Sequence, residues 1–268
     1  MTPIASMPMY NNLGMRAVNA AFWAELAPRL RQAGLGGVPD ELVQRPVVPD
    51  AITPDMLFNQ TCGWPLQTIY RGQHKLLARP RYDAPGCSGS THSAFVLVPE
   101  GSTVRTLENL RGKRFALNTI HSNSGMNLPR RMFAELAGGK PFFGDVIETG
   151  SHPASLKLLQ AGGADCASVD NLTYIFALDY LPETVEGLRV VAQTPMSPSI
   201  PFVTSASTDD ATVAILRKAL FEMSADPAAR PVLDALRIER IEPAPQADYT
   251  ALLDYERQAA DMGYPEIR

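Results

Sequence analysis

Apolar residues along this chain fall into short runs, separated by stretches in which they recur every three or four positions. The runs are strand-sized: Val47-Val48, Met56-Leu57-Phe58, Leu76-Leu77-Ala78, Phe95-Val96-Leu97-Val98, Arg114-Phe115-Ala116-Leu117, Val146-Ile147, Cys166-Ala167-Ser168-Val169 and Val190-Val191-Ala192. The opening stretch from Ile4 to Met9 reads as a first strand, after which Asn12 is placed to cap a helix carrying Phe22, Trp23, Leu26 and Leu30 on one face. Helical spacing predicts further helices over about 125–137, 154–162 and 171–180. Strands interleaved with helices predict an α/β protein with mostly parallel sheets covered on both faces.

After Phe202-Val203 the pattern becomes helical. Thr208-Asp209-Asp210 opens a helix through Val213, Leu216, Leu220 and Met223, Asp226-Pro227 starts another, and a third runs from about Pro245 to Met262. These helices are expected to pack on the first sheet. Two turn-rich segments, Pro99-Glu100-Gly101-Ser102 and Thr194 through Pro201, bracket a stretch with its own strand–helix alternation. The expectation is two α/β lobes: residues 1–99 with 202–268 as lobe 1, and 100–201 as an inserted lobe 2. The hinges fall near 98–102 and 194–201, and a ligand is expected in the cleft between the lobes.

Composition narrows the partners. The 268 residues are 45% hydrophobic and 19% charged, with a formal charge of −4, so a nucleic-acid backbone meets no basic stripe here. No apolar run approaches the roughly 20 residues of a membrane-spanning helix. Three cysteines without a CxxC pair give no zinc motif, and no metal or cofactor site is expected. The first residues lack the pattern of a secretory signal, so the chain is either cytoplasmic or a mature periplasmic form whose signal was removed.

The candidate chemistry is anion binding. Asn118-Thr119-Ile120-His121-Ser122-Asn123-Ser124-Gly125 lies between a strand and a helix, where hydroxyls and amides join the free N–H groups and positive dipole end of the helix. The plainer alternative is a helix cap at Ser124. Gly150-Ser151-His152-Pro153 repeats the arrangement, with Pro153 at the first helical position and His152 at the cap. Asp170 ends a strand and begins a helix, where it caps, accepts from a ligand amine or orients a histidine. Tyr10, Gln60-Thr61-Cys62 and His92-Ser93 also stand at strand ends in polar company. Cys62 and Cys87, both in turn-rich segments, are a candidate disulfide adding about 3 kcal/mol in an oxidising compartment, or else two thiols. No GxSxG, P-loop, HExxH or GxGxxG motif occurs, and nothing sets a nucleophile beside a base.

Taken in order, several segments resemble the phosphonate-binding family of ABC-transporter solute receptors, which has the type II periplasmic-binding-protein fold. They are Met9-Tyr10, Gln60-Thr61-Cys62-Gly63, Ala84-Pro85-Gly86-Cys87, Leu107 through Lys113, Ser122-Asn123-Ser124-Gly125, Thr149-Gly150-Ser151-His152, Ala164 through Asp170, and Thr194-Pro195 through Ile200-Pro201. The resemblance implies that Ser122, Asn123 and Ser124 grip phosphonate oxygens and that His152 joins them. Asn123 stands where relatives carry a middle hydroxyl, and His92 stands roughly where they carry an aromatic residue. Ser199-Ile200 stands where aminoethylphosphonate binders carry an acid for the ligand ammonium, which leaves Asp170 for that role.

The resulting expectation is a monomeric, cofactor-free binding protein that closes by hinge motion on a small phosphonate or phosphate-like oxyanion and serves an ABC-transporter permease. The alternative is a cytoplasmic enzyme or ligand sensor on the same two-lobed frame, acting on a small organic acid.

Overall fold

The computed structural model describes residues 2–11, 14–45, 48 and 51–268; the expected cap Asn12 and Val47 of the Val47-Val48 run lie outside them. In chain order the strands are β1 (Ile4–Ala5), β2 (Met56–Gln60), β3 (His74–Tyr82), β4 (Thr91–His92), β5 (Ala94–Pro99), β6 (Arg114–Leu117), β7 (Asp145–Glu148), β8 (Cys166–Asp170), β9 (Leu188–Gln193), β10 (Ser197–Pro198), β11 (Phe202–Ser205) and β12 (Ile238–Glu242). The helices are α1 (Arg16–Gln32), α2 (Gly63–Gln67), α3 (Leu128–Ala137), α4 (His152–Gln160), α5 (Asn171–Tyr180), α6 (Asp210–Ala225), α7 (Arg230–Ala235), α8 (Gln246–Thr250) and α9 (Leu252–Asp261).

These elements form two compact units. The first comprises Met1–Asp83, Ser88–Thr91 and Pro198–Asp248, and the second Ala84–Cys87, His92–Ser197 and Tyr249–Arg268. In the first, a five-stranded sheet runs in the order β1-β2-β11-β3-β12. β1 and β2 are parallel, whereas β11 is antiparallel to both β2 and β3, and β12 is antiparallel to β3. The opening strand stops at Ala5 rather than Met9: Ser6 N–H still donates to Phe58, but Pro8 has no N–H to continue the ladder. The aromatic core expected of α1 is present, with the Phe22, Phe58 and Phe202 rings stacked at centroid distances of 5.2–6.3 Å and Trp23 at 5.5 Å from Phe58.

The second unit has a sheet of order β7-β6-β8-β5-β9. β6 is parallel to β7 and β8, while β5 is antiparallel to β8 and β9, so the sheet is mixed. Four rings, Phe115, Phe133, Phe142 and Phe143, fill its core.

Two boundaries fall elsewhere than the pattern predicts. β5, assigned by sequence to lobe 1, lies inside the second sheet, because its apolar residues pair on both edges with β8 and β9. The last twenty residues also leave the first unit. There α9 packs on α3, and the final carbonyl of Arg268 accepts from the N–H groups of Phe142 and Phe143 at 2.6 and 3.1 Å. The helix expected over 245–262 is broken into α8 and α9, and the edge strand β12 is an element the apolar pattern did not predict.

Candidate functional site

The segment after β6 bends into a helix through one wide turn. Asn123–Asn127 forms a π-helical turn in which Asn127 N–H reaches back to the Ser122 carbonyl at 3.0 Å, and α3 follows without a break. The cap is Ser122, not Ser124: its Oγ accepts from Gly125 N–H at 2.9 Å and keeps its own O–H to give away. Pro129 accounts for part of this geometry. It brings no N–H to the turn before it, and the Ser124 carbonyl accepts instead from the Ser168 hydroxyl on β8 at 2.7 Å. π-turns of this kind recur at functional sites.

Gly125 is required by its neighbour. A Cβ there would lie 1.9 Å from Oδ1 of Asn118, the residue that closes β6. That Oδ1 accepts from Thr119 N–H at 2.8 Å, which turns the Asn118 NH2 toward Nε2 of His152, 3.4 Å away. Ser124 Oγ stands 3.0 Å from the same Nε2. Two strand–helix junctions therefore converge, one after β6 and one after β7.

His152 is the first residue of α4 rather than its cap. Ser151 caps the helix by accepting from Ala154 N–H at 3.3 Å, and Pro153 takes an early position where no donor is needed. Burial pushes the His152 imidazole down to about 4, against a weaker opposing pull from Asp170, so the ring is neutral at neutral pH. Nε2 faces both Asn118 and Ser124, and Nδ1 is a buried atom without a hydrogen-bond partner among the described residues. A neutral imidazole carries one N–H, and the Ser122 and Ser124 hydroxyls carry one O–H each, so the group holds donors of no net charge beside the helix start.

His92 and Asp170 form a second group, both essentially fully buried, with His92 Nδ1 3.0 Å from Asp170 Oδ2. Asp170 Oδ1 accepts from Thr173 N–H at 3.0 Å and caps α5. Burial raises the cost of the Asp170 charge, but His92, with His152 and the Thr173 N–H, outweighs it and holds the carboxyl below its ordinary range. Asp170 accordingly orients a histidine and a helix. Ser93 serves the fold as well, its hydroxyl donating to the Gly86 carbonyl at 2.9 Å.

Asn123 departs most from the expectation. Its Oδ1 accepts from Asn127 at 3.2 Å and its Nδ2 donates to Ser197 Oγ at 2.8 Å, while Arg130 donates to Asn127 Oδ1 at 2.7 Å. All four residues are buried, and this chain engages both ends of the Asn123 amide.

The remaining expected residues lie mainly in the first unit. Tyr10 is buried after β1, and Gln60, Thr61 and Cys62 follow one another at the end of β2, with Gln60 donating to the Tyr82 hydroxyl at 3.4 Å. Cys87 lies in the second unit, where the Asn171 amide donates to its sulfur at 3.1 Å. Among the described residues no cluster of His, Cys, Asp or Glu is suited to a metal ion, and no helix is long and apolar enough to cross a membrane.

Residues outside the expected set complete the site. Asn118, Gly125 and Ser168 hold the turn after Ser122 and the His152 ring in place, and Asn118 carried a signal as a polar residue at the end of an apolar strand.

Comparison with known proteins finds relatives in sequence pattern and in fold. Residues 64–249 match the model of a protein family described as the phosphonate periplasmic substrate-binding protein of ABC transporters. No curated protein matches the chain in sequence. Among solved structures, a binding-protein component of an ABC phosphonate transporter from Pseudomonas aeruginosa is similar with a TM-score of 0.76 at 14% identity, over 98% of this chain and 88% of that one. PhnD1 of Prochlorococcus marinus, in complex with methylphosphonate, gives 0.71 at 17% identity over 96% and 97% of the two chains. A Xanthomonas citri protein bound to ATP gives 0.68 at 17% identity over 98% of each. At these identities the structures establish a shared two-lobed binding-protein fold.

Proposed function

Because the chain belongs to the family of periplasmic phosphonate-binding proteins of ABC transporters, we propose that it captures a small phosphonate or phosphate-like oxyanion on its second unit and delivers it to a permease from the periplasm. One observation carries this reading: Ser124 Oγ lies 3.0 Å from His152 Nε2, although the two residues come from different strand–helix junctions. An anion with several acceptor oxygens suits such a set, because donors arriving from two helix starts satisfy different oxygens of one tetrahedral group. Neutral donors suffice there, since hydrogen bonds to an ionised acceptor are about twice as strong as neutral ones.

Asp170 does not serve a ligand ammonium in this reading, because its two oxygens are engaged by Thr173 N–H and His92.

Calorimetric titration of the whole chain against phosphate, phosphite, sulfate, methylphosphonate and 2-aminoethylphosphonate tests the proposal. One phosphorus oxyanion is expected to bind without being converted, and replacing Ser122 and Ser124 together with alanine is expected to abolish that binding. Unchanged affinity in the double variant would refute the assigned grip.

A further inference from the structure

The turn that carries Ser122 and Ser124 rests on a buried cation. Arg130 on α3 is 4% exposed, and its guanidinium donates to Asn127 Oδ1 at 2.7 Å and to the Pro265 carbonyl at 2.9 Å. Asn127 Nδ2 donates in turn to Asn123 Oδ1 and to the Leu252 carbonyl, both at 3.2 Å, and Asn123 Nδ2 donates to Ser197 Oγ at 2.8 Å. A guanidinium only donates and a carbonyl only accepts, so Asn127 holds its oxygen toward Arg130 and its NH2 toward Asn123 and Leu252. Asn123 is oriented by the same choice, and each N–H of the chain points away from the guanidinium. Hydrogen bonds that run in one sense polarise one another. Asn123 stands between Ser122 and Ser124, and Asn127 N–H donates to the Ser122 carbonyl at 3.0 Å, so the chain belongs to the anion turn itself.

The charge is kept against its environment. Burial lowers the proton affinity of Arg130, against an opposing pull from Glu256, yet arginine stays protonated in a folded protein. The Glu256 carboxylate on α9 stands 3.7 Å away with 41% of its side chain exposed, so water screens it more than it screens the cation. The Asn127 and Pro265 oxygens that accept from the guanidinium carry no charge to cancel it. The buried carboxylate of Asp170, in the same unit, is engaged by His92 and the Thr173 N–H. The interval from Ser124 to Arg130 is about 9 Å along a helix axis. Over that distance one charge changes affinity, for each charge on a ligand, by about twofold at the dielectric of water and about twentyfold at that of a protein surface.

We infer that Arg130 supplies the anion grip with positive charge from behind its neutral donors, so that the grip takes doubly charged oxyanions in preference to singly charged ones. The inference rests on the oxyanion reading above and names the charge state of the ligand. Arg130 is a positioning residue in this scheme, because it acts through the amides of Asn127 and Asn123. Neutral hydroxyls alone shape the grip to a tetrahedral group, whereas a fixed cation rewards each further charge on that group.

The test is calorimetric titration of the whole chain with methylphosphonate and with its monomethyl ester, at a pH where the first carries two charges and the second one. The unaltered chain is expected to bind methylphosphonate more tightly than the ester. Arg130→Met is expected to weaken methylphosphonate about tenfold and the ester about threefold, while Arg130→Lys, which keeps the charge, retains the ratio of the two affinities. Glu256→Gln removes the counter-charge at a half-exposed position and is expected to tighten methylphosphonate about threefold and the ester less. Should Arg130→Met misfold, Glu256→Gln decides alone. Unchanged or weakened methylphosphonate binding in Glu256→Gln would overturn the inference. So would equal losses for the two ligands in Arg130→Met, which would mark the guanidinium as a support of the fold, or tighter binding of the ester by the unaltered chain. Each of these results leaves the oxyanion reading intact. Failure of the unaltered chain to bind either compound would overturn the inference together with the reading beneath it.

Discussion

Gly125→Ala perturbs the candidate anion site without touching any group proposed to meet the ligand. The new Cβ would sit 1.9 Å from Asn118 Oδ1 and 2.6 Å from its Cγ. Relief to an ordinary van der Waals separation requires a movement of about 1.5 Å. The Asn118 side chain cannot swing away freely, because its Oδ1 accepts from Thr119 N–H at 2.8 Å and its NH2 faces His152 Nε2 at 3.4 Å. The backbone at Gly125 is held too, with its N–H on the Ser122 cap at 2.9 Å. Overpacking of a closed interior costs about 1–3 kcal/mol, so the melting temperature should fall measurably. Binding should fall further than stability alone requires, because the displaced amide releases His152 from its orientation; a loss of about tenfold corresponds to roughly 1.4 kcal/mol. Paired thermal melts and calorimetric titrations of the bound oxyanion read the two effects separately. A variant with unaltered affinity would show that the Asn118–His152 contact does not set the position of the histidine, and the reasoning would fail.

Other consequences follow from neighbouring contacts. Ser168→Ala leaves the Ser124 carbonyl without its donor in a buried site, and a loss of about 1–3 kcal/mol is expected in urea denaturation, with Ser168→Thr restoring part of it. The unfolded imidazole of His152 takes a proton near 6.5 and the folded one only near 4, so its contribution to stability is complete above 6.5 and is lost as pH falls toward 4. His152→Gln should flatten that slope in denaturation midpoints measured at about pH 7 and about pH 5, whereas an unchanged slope would place the titration elsewhere. Asn123→Ala and Asn127→Ala should weaken binding without additivity, since each breaks the same buried chain to Ser197; strictly additive losses in a double-mutant cycle would show independent roles.

Where the sequence was legible, the signal was local. α5 begins at Asn171 under the Asp170 cap, as the strand-then-acid pattern predicted, because an N-cap depends only on neighbouring backbone. The helix starts at Ser122 and His152 were equally visible as polar ends of apolar strands. Their caps were each misplaced because hydroxyl and imidazole side chains compete for one position, and tertiary contacts choose between them. Ser124 yields the cap to Ser122 since Pro129 widens the turn, and its hydroxyl then becomes available to His152. β5 was misassigned for a related reason: an apolar run of six residues fits either sheet, and only its partners β8 and β9 decide.

The treatment of amides separates the two units most clearly, and no periodicity reveals it. Asn123 resembles a ligand residue in its motif, yet the structure engages both its ends with Asn127 and Ser197. Asn59 carries no motif at all, yet its amide is buried and finds no partner among the described residues. Hydrogen-bond accounting reverses the ranking that residue type alone supplies: a satisfied buried amide holds the fold in one arrangement, whereas an unsatisfied one costs stability unless something binds it. On that physical ground Ser122, Ser124 and His152 remain the proposed anion grip, and Asn123, bound at both ends within the fold, becomes their support.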